Sequence, residues 1–339
     1  VSRRGEQNGG EKRRELLANG SRRARVELER ERVAEIQRGR MLSAMVDLTR
    51  ERGAERVTVA HVVAKAGVSR RTFYELFDDR EACLLAALDD ALARIEGTVL
   101  PAYRGEQGWS ERIGAGLVAM LELFDREPAM AALCVVDSLA AGTEALERRA
   151  HVVDALVSAV DRGRREGAAP RGLNRVTAEG VVGAVLGVLY TRLREPNPKP
   201  LLPLRGQLMG MIVLPYLGAD AAAAELARRT PRVRRQAHSH EDPLRRLGIR
   251  LTYRTMRVLS AVAERPGLNN RQVAREAGVA DQGQMSKLLA RLEGLGLIAN
   301  AGESQTRGEP NVWRLTPLGR ELEQAISARD AQHLGQADG

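Results

Sequence analysis

Residues 58–81 read TVAHVVAKAGVSRRTFYELFDDRE, and this stretch decides the fold. Val59, Val62, Val63 and Ala66 fall at helical spacing, so one face of a first short helix is apolar. Thr58 stands where an N-cap hydroxyl can hold a free backbone N–H. Gly67 supplies the positive φ that a sharp turn between helices needs. Ser69 is placed to cap the second helix. Phe73 and Phe77, four apart, are predicted to bury together, which leaves Arg70, Arg71 and Tyr74 outward. Two short helices, a glycine turn and a cationic outer face make a helix-turn-helix whose second helix suits the major groove of DNA. The plainer alternative is a helical hairpin with exposed arginines.

Working outward, the stretch from about Arg38 to Leu88 resembles the DNA-binding domain of the TetR (tetracycline repressor-like) family. The motifs that carry the resemblance are Arg50-Glu51-Arg52-Gly53, Thr58-Val59, Ala66-Gly67-Val68-Ser69, Thr72-Phe73-Tyr74 and Phe77-Asp78-Asp79-Arg80-Glu81. The resemblance implies that Arg70 and Arg71 read base edges while Ser69, Thr72, Tyr74 and Arg80 fix phosphates, with Thr58 added to the contact set. It also implies a homodimer in which a small ligand in a helical domain alters the spacing of two reading heads.

The whole chain, 339 residues with a formal charge of +9, has room for two or three domains and favours a polyanionic partner. Hydrophobic residues make up 43% and aromatic residues 3%, a balance that points to packed helices over a sandwich or barrel. Cys83 and Cys134 lie in helical patterns, so buried reduced thiols are expected. The longest apolar run, about Leu208 to Leu217, is half of the ~20 residues a bilayer span requires. The charged first forty residues do not read as a secretory leader. A soluble cytoplasmic protein, with no membrane contact, is expected.

Residues 1–33 read as a basic arm; the first forty residues carry twelve basic against seven acidic side chains. The arm suits phosphates or a minor groove, and equally suits a solvated tail. The helix-turn-helix domain is assigned to 34–90, and a helical effector and dimerisation domain to 91–229. A linker (230–243), a further domain (244–330) and a tail (331–339) complete the chain. Within 91–229, Gly180, Gly183 and Gly187 share a helical face, at roughly 1 kcal/mol per glycine against alanine. Gly206 and Gly210 accompany Leu208, Met211, Ile212 and Leu214 on the next helix. These are the makings of a two-fold helical interface, for which Gly183, Gly187, Leu208, Met211 and Ile212 are the candidate residues. Intramolecular packing would use the same pattern. Met120, Phe124, Cys134 and Tyr190 are candidate effector-pocket residues, together with Trp109 and Met130; core filling is the alternative for each.

The last hundred residues repeat the theme. In NNRQVAREAGVADQGQMSKLLARLEGLGLIAN, residues 269–300, Val273, Ala274 and Ala277 give a short helix and Gly278 a turn. Asp281 is placed as an N-cap, and Met285, Leu288, Leu289 and Leu292 bury one face of the next helix. Gln282, Ser286 and Lys287 stay outward, with Gln284 at the boundary, a set that suits adenine, guanine or phosphate. Leu297-Ile298 and Val312–Leu315 read as strands around a polar tip, and Thr316-Pro317 opens a closing helix. The order, with LLARLEGLGLI and WRLTPLGREL, resembles the winged-helix domain of MarR-type regulators. The tip lacks the family's aspartate but offers Arg307 to a minor groove. Such a domain binds DNA, or serves as a dimerisation or protein-docking module.

His238 and His240, beside Glu241 and Asp242, fit a solvated linker better than a metal site. His61 suits a phosphate contact or plain exposure. No phosphate loop, nucleophile elbow or metalloprotease motif is present. No metal, cofactor or enzymatic activity is expected beyond an unidentified small-molecule effector. The expected class is mainly α, with a helix-turn-helix, a helical ligand and dimerisation domain, and a small α+β winged helix. The expected partners are double-stranded DNA and a second copy of the chain. The expected role is a ligand-responsive repressor; an effector-independent architectural protein that bridges DNA is the alternative.

Overall fold

A computed structural model describes residues 30–166, 172–228, 253–302 and 311–324, apart from 32, 196 and 280. Residues 1–29 of the basic arm, the 230–243 linker with His238 and His240, Arg307 at the tip and the 331–339 tail lie outside the described residues. The chain divides into two compact units. One comprises the described residues of 40–65 and 73–239, the other those of 1–39, 66–72 and 240–339.

The helix of residues 33–52 (α1), which belongs to the first unit from residue 40 on, ends at Gly53 with φ +82°. A single 3-10 turn, Ala54–Arg56, leads to α2 (Val59–Ala66), a Gly67 turn with φ +67°, and α3 (Arg70–Leu76). Met41, Met45, Val57, Val62, Phe73 and Phe77 are buried, so α3 is anchored through one face only. Asp79 caps α4 (Arg80–Arg104), its carboxylate accepting the Ala82 N–H at 2.8 Å.

α4 and α5 (Trp109–Arg126) pack together after the turn at Gly105, and the wholly apolar α6 (Pro128–Val135) is buried beside both. Then follow α7 (Thr143–Asp161), the short α8 (Gly163–Glu166), α9 (Arg175–Arg194) and α10 (Arg205–Ala227). Trp109 locks the start of α5: its indole N–H donates to the Ala159 carbonyl at 3.1 Å, and its ring stacks on Tyr216 with centroids 4.9 Å apart. Gly163 lies under that ring, where a Cβ would come within 2.5 Å. The Asp125 carboxylate accepts the N–H groups of Leu201 and Leu202 at 2.6 and 3.0 Å, satisfying the loop that enters α10.

Gly218, at φ +84°, breaks α10, and the segment beyond it runs back over the first part. A Cβ on Gly206 would lie 3.2 Å from the Glu225 carbonyl, and one on Gly210 would lie 3.4 Å from Leu226. Those two glycines therefore serve packing within the chain. The return also brings Glu225 to Arg205 as an ion pair of 2.7 Å, both side chains 6% exposed. Removing one partner of such a pair costs about 3–5 kcal/mol. α9 and the stretch Leu202–Ala227 are long and apolar enough to cross a membrane by length and composition, which the short apolar run in the sequence did not suggest. In this fold α9 packs on α6 and α7, and α10 on α5 and α9.

In the second unit, α11 (Tyr253–Glu264), α12 (Asn270–Glu276) and α13 (Gln282–Gly294) precede an antiparallel pair, β1 (Ile298–Asn300) and β2 (Trp313–Leu315). Ile298 pairs with Leu315 and Asn300 with Trp313, while Leu268 adds one bridge to Trp313. A closing helix spans 317–324 (α14). Val258, Leu259, Val273, Met285, Leu289 and Trp313 form the core, which Val33 and Ile36 join. Asn270 accepts the Trp313 indole N–H at 2.6 Å. Gly319 has no room for a side chain, because a Cβ would collide with the Leu297 carbonyl. The order of helices and strands follows the sequence expectation.

Candidate nucleic-acid interface

Each helix of the helix-turn-helix is capped at its N-terminus by its own side chains. Thr58 and His61 cap α2 reciprocally: the Thr58 hydroxyl accepts the His61 N–H at 3.3 Å, and His61 Nδ1 accepts the Thr58 N–H at 3.3 Å. The sequence left His61 without that role, because histidine is an uncommon partner in a reciprocal cap. Ser69 Oγ accepts the Thr72 N–H at 3.0 Å and lies 2.8 Å from the Thr72 hydroxyl. These caps fix α3 at its N-terminus, where a groove-binding helix meets base edges.

The outward face is as expected from spacing. Arg70 and Arg71 are exposed, and Tyr74, 58% exposed, meets buried Phe73 edge-on with centroids 5.4 Å apart. Phe73 and Phe77 stack beneath at 5.6 Å. Arg80 is different. Expected on phosphates, it is half-buried and donates to the Ala54 carbonyl at 2.7 Å, bracing the start of α4 on the 3-10 turn. Lys65 pairs with Glu51 and, at 3.9 Å, with Asp47, tying α2 to α1.

The second unit repeats this local geometry. Asn269 and Gln272 form a capping box on α12, Gly278 turns at φ +67°, and Asp281 accepts the Gln284 N–H at 3.0 Å. Gln282, Gln284, Ser286 and Lys287 are all exposed on α13. Gln284 is engaged, since its side-chain oxygen accepts from Arg254.

Behind the reading head, a cavity of about 900 Å³ lies among α4, α5, α7, α9 and α10. Of the candidate pocket residues Met120 lines it, whereas Phe124, Cys134 and Tyr190 do not. Phe124 and Cys134 are core, 3% and 8% exposed, and burial pushes the Cys134 thiol up to about 12 against the pull of Arg94. Tyr190 is covered by Arg194, which lies 5.5 Å over its ring and donates to its hydroxyl at 3.2 Å. The interface expectation also divides. Gly183 and Gly187 are exposed, with nothing within 4 Å of a built Cβ, and Met211 is 37% exposed. Leu208 and Ile212, 1% and 4% exposed, belong to the chain's own core, and Ile212 lines the cavity. Leu214, which the sequence placed beside them, is exposed, and so are Val176 and Leu217, which it did not single out.

Arg50 of α1 donates to the Leu193 carbonyl near the end of α9 at 2.8 Å, a contact between the head and the helical body. Burial raises the pKa of nearby Asp137 above the usual carboxylate range, with the Arg50 charge opposing.

Residues 41–87 match the sequence profile of the tetR family of bacterial regulatory proteins. No curated protein matches the sequence. Among solved structures, the fatty acid degradation regulator FadR from Bacillus halodurans is 14% identical, covering 52% of this chain and 94% of its own, at a TM-score of 0.48. FadR from Bacillus subtilis in complex with stearoyl-CoA is 16% identical, covering 51% and 96%, at 0.47. The ketosteroid transcriptional regulator KstR2 of Mycobacterium tuberculosis is 17% identical, covering 52% and 92%, at 0.43. The capped helix-turn-helix and the profile match fall on the same stretch: residues 41–87 are similar to the N-terminal domain of the tetR family of bacterial regulatory proteins.

Proposed function

We propose that this chain is a sequence-specific transcriptional repressor of the cytoplasm, active as a homodimer and released from DNA by a small ligand. The observation that carries the reading is α3: Phe73 and Phe77 hold it from beneath while Arg70, Arg71 and Tyr74 face outward. Arg70 and Arg71 read base edges, and Ser69, Thr72 and Tyr74 take phosphates. Arginine in this position pairs bidentately with guanine, at ~1–3 kcal/mol of discrimination per contact.

The open face of Gly180, Gly183 and Gly187 supports the dimer. Glycine within a helix costs roughly 1 kcal/mol against alanine, and nothing in the described chain uses the room these three leave. A second copy, crossing there beside exposed Met211, Leu214 and Leu217, would use it. The cavity supports the effector, having the size and apolar lining of a small-molecule site. Its α9 wall reaches the head through the Arg50–Leu193 contact, so a ligand that favours one placement of α9 shifts the head spacing. The order α11–α12–α13–β1–β2–α14 supports a MarR-like winged helix over 244–330, making a second DNA contact through Gln282, Ser286 and Lys287. The domain bounds 34–90 and 91–229 belong to the same proposal.

The test uses fluorescence anisotropy on a duplex enriched from random DNA, at fixed salt. Arg70→Ala with Arg71→Ala abolishes preference for that duplex over a scrambled one, while the thermal melt is unchanged. Equal preference in the variant and the parent overturns the assignment. Sedimentation tests the dimer separately: Gly183→Leu yields monomers that melt as a folded chain.

A further inference from the structure

The cavity is unlike at its two ends, and the difference specifies a ligand class. α4 and α7 flank it side by side. Arg148 on α7 donates to Asp89 on α4 at 2.7 Å, which joins them at one end. At the other, the Trp109 indole reaches the Ala159 carbonyl just beyond the α4–α5 turn, bringing the last turn of α7 beside the end of α4. From Asp89 to Arg104 the wall therefore runs about 20 Å, at ~1.5 Å per helical residue.

At the Asp89 end two polar side chains have partners within the chain. Asp89 holds Arg148, and His151 Nδ1 contacts the Glu147 carbonyl at 2.8 Å. Between the ends, Ile95, Val99, Ile113, Leu117, Val182 and Val185 give apolar walls. At the far end stand Tyr103, Arg104 and Arg162. The Tyr103 hydroxyl is buried without a hydrogen-bond partner among the described residues, which is uncommon for a native polar atom. Neither Arg104 nor Arg162 has an ion-pair or side-chain hydrogen-bond partner among the described residues. The guanidinium of Arg112, 5.7 Å from the Tyr103 ring, adds positive charge there. One carboxylate, Glu96, stands exposed midway along the rim.

We propose that the cavity takes an elongated amphiphile with an anionic head. Its chain lies along α4 and α7, and its carboxylate or phosphate accepts from Tyr103, Arg104 and Arg162. Guanidinium forks match both acids in geometry and charge, and the apolar walls reward a chain long enough to fill the groove. This rests on the cavity being the effector site of the proposed regulator. Binding is therefore measured on the full chain without DNA, so that failure here leaves DNA recognition untouched, and failure of DNA recognition leaves this result standing.

The experiment is equilibrium dialysis with labelled probes below their micelle concentrations: palmitate, hexadecyl phosphate, hexadecylamine, hexadecanol and octanoate. The expected result is that palmitate or hexadecyl phosphate binds at least tenfold tighter than the amine, the alcohol and the short acid. Whichever of the two anions binds tighter identifies the head. Arg104→Gln with Arg162→Gln weakens that anion at least tenfold and leaves hexadecanol unchanged, while Tyr103→Phe weakens it several-fold. Glu96→Gln leaves it equal or tighter. Amine or alcohol binding on a par with the anions overturns the proposal, as does octanoate matching palmitate. An anion affinity unmoved by the double arginine variant also overturns it; the ligand series on the unaltered protein stands whatever the variants do.

Discussion

The chain builds the same local device twice. Ala66-Gly67-Val68 and Ala277-Gly278-Val279 make the same turn, each glycine at φ +67°. Both first helices carry a reciprocal cap, Thr58 with His61 and Asn269 with Gln272. Both second helices are capped at 3.0 Å, by Ser69 and by Asp281. What differs is the outward chemistry. α3 presents two arginines and a tyrosine on an aromatic base, whereas α13 presents two glutamines, a serine and one lysine on an aliphatic base. Backbone geometry thus specifies a helix that can enter a groove, and the exposed residues decide what it does there. Under the proposed function, sequence preference is assigned to α3 and a weaker contact to α13.

The comparison can be broken most forcefully at α3. Arg70→Ala and Arg71→Ala should each cost ~1–3 kcal/mol of specific DNA affinity, roughly 5- to 150-fold apiece in anisotropy. The corresponding pair Gln282→Ala and Lys287→Ala should cost less and lower affinity for all sequences together. A larger loss from the α13 pair would reverse the ranking. Next in size, Gly67→Val and Gly278→Val put a β-branched residue at positive φ, at about 1–2 kcal/mol each in denaturant melts. Equal penalties would confirm that the two turns are physically alike. Ser69→Ala and Asp281→Ala should each remove about 1 kcal/mol, again as a matched pair. The smallest expected effect is on salt dependence, where Lys287→Ala reduces the logarithmic slope of DNA affinity by about 1.

Both helix-turn-helix devices were legible because each depends on neighbours in sequence: a cap hydroxyl or carboxylate, a glycine, and apolar residues four apart. The helical body was legible as helices but not as partners. Periodicity assigned Gly206 and Gly210 to the same kind of face as Gly183 and Gly187, yet the chain turns back at Gly218 and fills only the first pair. The same return creates the Arg205–Glu225 pair, which no local pattern announces. Arg80 matched a motif position and was assigned to DNA, but the nearby Ala54 carbonyl claims it. The pocket failed for a similar reason: large residues such as Phe124 fill space, and the cavity is lined by the middle-sized aliphatics opposite them.

The central claim is that α3 reads sequence from each subunit of a two-fold dimer. Selection of bound duplexes from random DNA, run in parallel with the whole protein and its Arg70→Ala, Arg71→Ala variant, tests it most directly. The account predicts one palindromic motif, with half-sites spaced by about one helical turn or a multiple of it, that vanishes in the variant. An enriched motif that survives the double substitution, or no enrichment by the unaltered protein, would contradict it.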